Sequence, residues 1–184
     1  MKKALIILYL VAIVFGDAGI ESDKSVRKSF PNLRIKNLKN RQITTEAILD
    51  SQLTLVNFWA TFCVPCRKEM KHLNHLHNAY MDSSFQVVGI SIDDSRTARR
   101  VSSVVKSQKL DYPIYLDTEQ KLYKQFNSSA MPFSVLVSPN GYILWEHTGY
   151  IPGDEEEMEE IILKELGIAI KTDSLQIDTI QNEK

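Results

Sequence analysis

Cys63 and Cys66 are the only cysteines among 184 residues, and they stand three apart in WATFCVPCRKEM, residues 59–70. Thiols at this spacing can exchange with a disulfide or contribute to a metal site. The run Leu53–Trp59 ahead of them reads as a strand, and the charged stretch behind them reads as a helix with Pro65 in its first turn, where a missing N–H breaks no hydrogen bond. Cys63 therefore falls at the helix N-terminus. There the unpaired N–H groups and the positive end of the macrodipole favour a thiolate. Cys66, one turn further in, is expected to be shielded, so that one sulfur attacks and the other resolves. A structural zinc site needs ligands that a single cysteine pair does not supply.

At about 100° per residue, Cys66, Glu69, Met70, Leu73, Leu76, His77 and Tyr80 share one face of that helix. Arg67, Lys68, Lys71, His72 and His75 point elsewhere. Glu69 thus lies on an otherwise apolar face, one turn beyond Cys66. It either handles a proton beside the resolving thiol or sits solvated at the edge of the face, because a buried carboxylate is costly unless hydrogen-bonded or protonated. The three histidines are not arranged around the cysteines and give no metal site.

The elements that must position these residues alternate. Apolar, β-rich runs occur at Leu53–Trp59, Phe85–Ile92, Tyr112–Leu116, Phe133–Val137 and Tyr142–His147, and helical patterns at Pro65–Tyr80, Ser95–Lys109, Glu119–Phe126 and Asp154–Leu166. Alternation of this kind predicts an α/β fold with a sheet flanked by helices on both faces. Pro139-Asn140-Gly141 predicts a hairpin, so that end of the sheet is antiparallel. The acidic run Asp154–Glu160 suits the first turns of the last helix.

Ahead of the domain, Lys2 and Lys3 precede the apolar run Ala4–Phe15, followed by small and polar residues, which is the layout of a secretory signal peptide. A membrane-spanning helix needs about 20 apolar residues, so a permanent anchor is the weaker reading; an uncleaved signal would tether the exported domain to the membrane. The division expected is a signal peptide at 1–16, a polar linker at 17–29, a single domain at 30–167 and a polar tail at 168–184. Removal of residues 1–16 leaves 20 basic residues against 23 acidic ones, a net charge of −3, which does not suit a nucleic-acid partner. A domain of this size buries enough core to need no disulfide staple, leaving the cysteines free for chemistry.

Asn57–Met70, NFWATFCVPCRKEM, resembles the active site of thioredoxin-fold thiol-disulfide oxidoreductases, and most closely the exported TlpA/ResA-type reductases. The resemblance spans roughly Phe30–Gly167 and implies a thioredoxin-like fold: a central mixed β-sheet flanked by helices, with an extra strand-helix insertion before a cis-proline. Phe85–Lys109 and Tyr112–Phe126 supply the two strand-helix units that this requires, and SAMPFSVLV aligns the cis-proline with Pro132. The implied catalytic residues are Cys63, Cys66, Glu69 and Pro132, with Cys63 and Cys66 forming a redox-active disulfide. Trp59, Phe62, Met131 and Phe133 are the implied substrate contacts, the backbone of Met131 being turned outward by the cis bond. Ala130 and Phe133 replace a frequent glycine and threonine, and Phe62 a common tryptophan. Asn57 stands where plain thioredoxin has a buried aspartate, so a proton relay would fall to Glu69.

What the resemblance implies is a reductase of disulfides in exported clients, of cytochrome c maturation or copper-centre assembly type. It would work as a monomer without a cofactor, re-reduced by a membrane dithiol donor. Competing readings use the same residues. A general disulfide-forming oxidant would run the exchange in reverse, although Pro65 resembles reducing relatives more than oxidising ones. A copper-delivery module would carry a CxxxC spacing, which this chain lacks. A peroxidase would need a threonine and a proline upstream of its cysteine, where Ala60 and Val56 stand.

Overall fold

The computed structural model describes residues 27–169. The signal peptide expected at 1–16, most of the expected linker and the tail from 170 lie outside the described residues. The elements are β1 (Arg34–Asn37), β2 (Gln42–Thr44), α1 (Thr45–Leu49), β3 (Leu53–Trp59), α2 (Val64–Tyr80), β4 (Phe85–Ser91), α3 (Val101–Gln108), β5 (Ile114–Leu116), β6 (Phe133–Val137), β7 (Ile143–Thr148) and α4 (Asp154–Leu166). They form one seven-stranded mixed sheet in the order β2-β1-β5-β4-β3-β6-β7, flanked by the four helices. Strands β3, β4 and β5 run parallel, while β6 pairs antiparallel with β3, and β7 with β6. This is the thioredoxin-like architecture expected from the sequence.

All seven residues of β3 are buried, because it is flanked by β4 and β6 and covered on both faces. Successive side chains of a strand point to opposite faces. Asn57 accordingly meets Glu69 of α2, while Phe58 enters an aromatic cluster with Tyr123 (5.5 Å between ring centroids), Phe126 (5.4 Å) and Phe133 (6.0 Å). Helix α2 buries the expected face, Cys66, Glu69, Met70, Leu73, Leu76 and His77. The β6–β7 turn closes through Gly141 at φ 79°, a left-handed conformation that suits glycine.

Several elements differ from the sequence reading, each for a local reason. The helix expected at Ser95–Lys109 begins only at Val101, after a single 3₁₀ turn. Asp94 Oδ1 accepts from the backbone N–H groups of Arg96 and Thr97, which closes a turn instead of a helix. The helix expected at Glu119–Phe126 is one 3₁₀ turn, Tyr123–Phe126, bracketed by Gln120 and Asn127 in left-handed conformations. β1, β2 and α1 were not anticipated: Ile35 is the sole fully buried residue in either strand, too little to set up a period. Lys28 and Ser29, assigned to the linker, already pair with the sheet. The carbonyl of Lys28 accepts from Ile143 N–H at 2.8 Å, and Phe30 N–H donates to the Gly141 carbonyl at 2.9 Å.

Phe58→Ala, which empties the centre of the aromatic cluster, is expected to destabilise the fold by about 3–5 kcal/mol, read as a lower midpoint in urea or guanidinium unfolding.

Candidate active site

The loop after β3 delivers the cysteines to the C-terminal end of the parallel strands. Cys63 is the N-cap of α2, its Sγ accepting from Cys66 N–H at 3.2 Å, and the two cysteines are joined in a disulfide with Cα atoms 5.4 Å apart. Pro65 lies in the first turn. Cys63 retains 7% of its surface and Cys66 none, so an incoming group reaches the first sulfur and not the second. Phe62 and Val64, on either side of Cys63, are 69% and 55% exposed.

Glu69 lies one turn beyond Cys66 on the same buried face, with 1% of its surface exposed. Its Oε2 accepts from Asn57 Nδ2 at 2.7 Å, and its Oε1 from Ser134 Oγ at 3.4 Å. Burial pushes the carboxyl up to about 8; the Asn57 and Ser134 hydrogen bonds pull in the opposite direction, and the Asp154 charge adds slightly to the rise. The group is therefore mostly protonated at neutral pH and gives up its proton in mildly alkaline solution. An aspartate at position 57 would set a second carboxyl against this one. Asn57 supplies a neutral donor instead, so a single acid titrates here.

The Met131–Pro132 peptide bond is cis, and the buried Pro132 accepts at its carbonyl from Gly149 N–H at 2.8 Å. That bond pins the loop between β7 and α4 beside the proline. Met131 is half-buried at the same edge, while Tyr123 and Ser128 donate to the carbonyl of Ala130, each at 3.1 Å.

Two of the residues expected to contact substrate do not line a groove. Trp59 is fully buried, because it faces α2 from the last position of β3 and packs over Gly89, where a Cβ would come within 3.3 Å of its indole nitrogen. Phe133 retains 3% of its surface, because it begins β6 on the face of the aromatic cluster. Phe62 and Met131 keep accessible surface beside the disulfide loop and the cis-proline. His77 belongs to the core: its Nδ1 accepts from Val87 N–H at 3.2 Å, and burial lowers its pKa, favouring the neutral ring.

Sequence reasoning missed Ser134, which reads as one more small residue in an apolar strand, and Asp93. The carboxylate of Asp93 is 1% exposed and accepts from Thr61 N–H (2.8 Å), Thr61 Oγ1 (2.6 Å) and Ser91 Oγ (2.8 Å). It thereby fixes the residue two positions before Cys63. The available signal was an acidic pair, Asp93-Asp94, placed directly after an apolar strand, where a buried carboxylate must find donors.

Glu69 makes stability depend on pH. Between about pH 4.5 and about pH 8 the folded chain keeps a proton that the unfolded chain releases, so stability falls as pH rises, by up to ~1.4 kcal/mol per pH unit. Glu69→Gln is expected to remove that slope; unfolding free energies of both disulfide forms at pH 5, 6.5 and 8 check it, and a constant difference between them would contradict a buried neutral acid. Asp93→Ala is expected to cost about 1–3 kcal/mol by stranding the Thr61 donors, with Asp93→Asn recovering part of the loss in the same unfolding assay.

Residues 25–162 match the Redoxin family profile. The thiol-disulfide oxidoreductase ResA of Bacillus thuringiensis subsp. konkukian is 27% identical over 144 residues, covering 78% of this chain and 80% of its own. The sporulation thiol-disulfide oxidoreductase A of Bacillus subtilis is 30% identical over 110 residues, 59% of this chain and 66% of its own. A crystal structure of a thiol:disulfide interchange protein DsbE from Chlorobium tepidum superposes with a TM-score of 0.70 at 23% identity, covering 77% of this chain and 97% of that one, a likeness of fold. With three quarters of its length inside the matched family and the cysteine pair at the head of α2, the chain belongs to the Redoxin family.

Proposed function

We propose that this thiol-disulfide oxidoreductase works outside the cytoplasm as a reductase of disulfides in client proteins, of the cytochrome c maturation or copper-centre assembly type. The observation that carries the reading is the asymmetry of the pair: Cys63 is reachable at the helix N-terminus, whereas Cys66 is sealed beside a carboxyl that holds its proton to about pH 8.

In the dithiol form the Cys63 thiolate attacks one sulfur of a client disulfide. A Cys63–client bond forms, the client S–S bond breaks, and the departing client thiolate takes a proton from solvent. Glu69 then accepts the Cys66 proton through the fraction of it that is ionised, a fraction that grows toward pH 8. The Cys66 thiolate attacks Cys63, the mixed disulfide breaks, and the second client thiolate leaves. Two electrons pass to the client and the internal disulfide remains. An external dithiol, proposed here to be a membrane-bound donor, restores it with two electrons and two protons. At the rim, the cis bond turns the Met131 backbone toward a client strand, Phe62 adds apolar contact, and Pro132 keeps the site shaped. Export rests on the N-terminal pattern of Lys2, Lys3 and Ala4–Phe15.

Cys66→Ser is expected to accumulate a mixed disulfide with its client on non-reducing gels, because the attacker remains and the resolving sulfur is gone. Cys63→Ser should trap at least tenfold less, its remaining sulfur being buried. Equal trapping by both would refute the assignment. Direction is tested separately by equilibrating the pair with a dithiothreitol couple: a reductase needs a potential nearer the about −270 mV of thioredoxin than the about −120 mV of strong disulfide-forming oxidants.

A further inference from the structure

A groove of about 450 Å³ opens beside the attacking cysteine. Val64, Arg67, Lys68, Lys71 and His72 of α2 form one wall, and the Tyr150–Pro152 loop with Glu155 faces them. The α2 residues follow helical spacing, so the four basic side chains line a stripe that starts at Val64, next to Cys63. Cations three and four apart repel one another, and Arg67 and Lys68 sit just inside the helix end where the macrodipole disfavours positive charge. Helix stability does not account for this pattern.

Local partners offset it only in part, at His72. The carboxylate of Glu155 is occupied: it accepts from Tyr150 OH at 2.9 Å and Gly153 N–H at 3.0 Å, and lies 3.6 Å from His72 Nε2. Among the described residues, Arg67, Lys68 and Lys71 form no ion pair. The chain as a whole carries a net charge of −1, so the positive charge is local and not a general attraction for polyanions.

We infer that this groove receives an acidic segment of the client polypeptide, flanking the cysteine that Cys63 attacks. The inference deepens the reductase reading and rests on it. From Val64 to Lys71 the stripe runs about 10 Å along the helix, the reach of about three extended residues. The acidic positions are therefore within three or four residues of the client cysteine, on one side of it. Val64, 55% exposed and adjacent to Cys63 in the chain, offers apolar surface to the residue nearest the sulfur. A nucleic acid or a lipid surface does not fit as well, because the groove abuts the reactive sulfur and is bounded by the loop tied to the cis-proline.

The test uses pre-reduced protein and three synthetic peptides, each with one disulfide and identical except for three residues beside one cysteine: Glu-Asp-Glu, Gln-Ser-Gln or Lys-Lys-Lys. Second-order rate constants are compared within each variant. At low salt the acidic peptide should be reduced on the order of tenfold faster than the neutral one, the ratio falling toward one in 0.5 M NaCl. Lys68→Glu/Lys71→Glu should invert the order so that the basic peptide leads, Lys68→Gln/Lys71→Gln should level it, and Lys124→Glu, on the opposite face, should keep the wild-type ratio. A ratio near one at every salt concentration overturns the inference. So does an equal rate change on all three peptides in the groove variants, which would mean that the cations act on the thiolate alone. Binding to phosphatidylglycerol vesicles that disappears in Lys68→Glu/Lys71→Glu would assign the groove to a membrane and overturn it as well. Failure of the wild-type protein to reduce any of the peptides would instead defeat the reductase reading, and the inference with it.

Discussion

A carboxyl buried in the seam between α2 and the sheet ties the rest of the structure together. Helix α2 can dock its apolar face only if Glu69 finds donors, and both come from the sheet: Asn57 of β3 and Ser134 of β6. These two residues are register partners across the antiparallel β3–β6 pair. One polar contact thus couples the register of the central strands to the rotation of the helix about its axis. The same rotation puts Cys66 inside and the basic residues outside.

Around that seam the active end is held by two ties from different strands. Asp93, just past β4, grips Thr61 ahead of the cysteines, and Gly149, just past β7, grips the cis-proline through its carbonyl. Beneath them the other face of β3 is filled by aromatic packing around Phe58. The chemistry therefore sits on short loops whose roots are fixed in the core, while Phe62, Val64 and Ile151 remain exposed at the rim.

Legibility in the sequence followed the length and regularity of each element. Helices α2 and α4 and strands β3 and β6 could be read almost to the residue, because each carries a mainly apolar, β-rich run or a full helical stripe. The deeper burial of Cys66 and the awkward placement of Glu69 followed from helical spacing. Short elements were lost: β1 and β2 bury a single residue between them, and the turns at Asp94 and Gln120 depend on a side-chain cap and a positive φ that periodicity does not report. Trp59 and Phe133, implied by resemblance to touch substrate, are buried, because a family motif does not report which way each strand residue points in this chain. Ser134 and Asp93 gain their meaning only from partners on distant segments.

The pairing of Lys28 and Ser29 with the start of β7 sets the orientation of the whole domain. Ile143, which they meet, is level with Val137 and hence with Thr54 at the far end of β3 from the cysteines, about 16 Å of strand away. The Lys28–Glu146 ion pair adds a second hold on the same edge. The described chain therefore enters the domain at the base of the molecule, away from the cysteines. Traction on Lys28 would load the edge strand β7 before it reached the seam that holds Glu69.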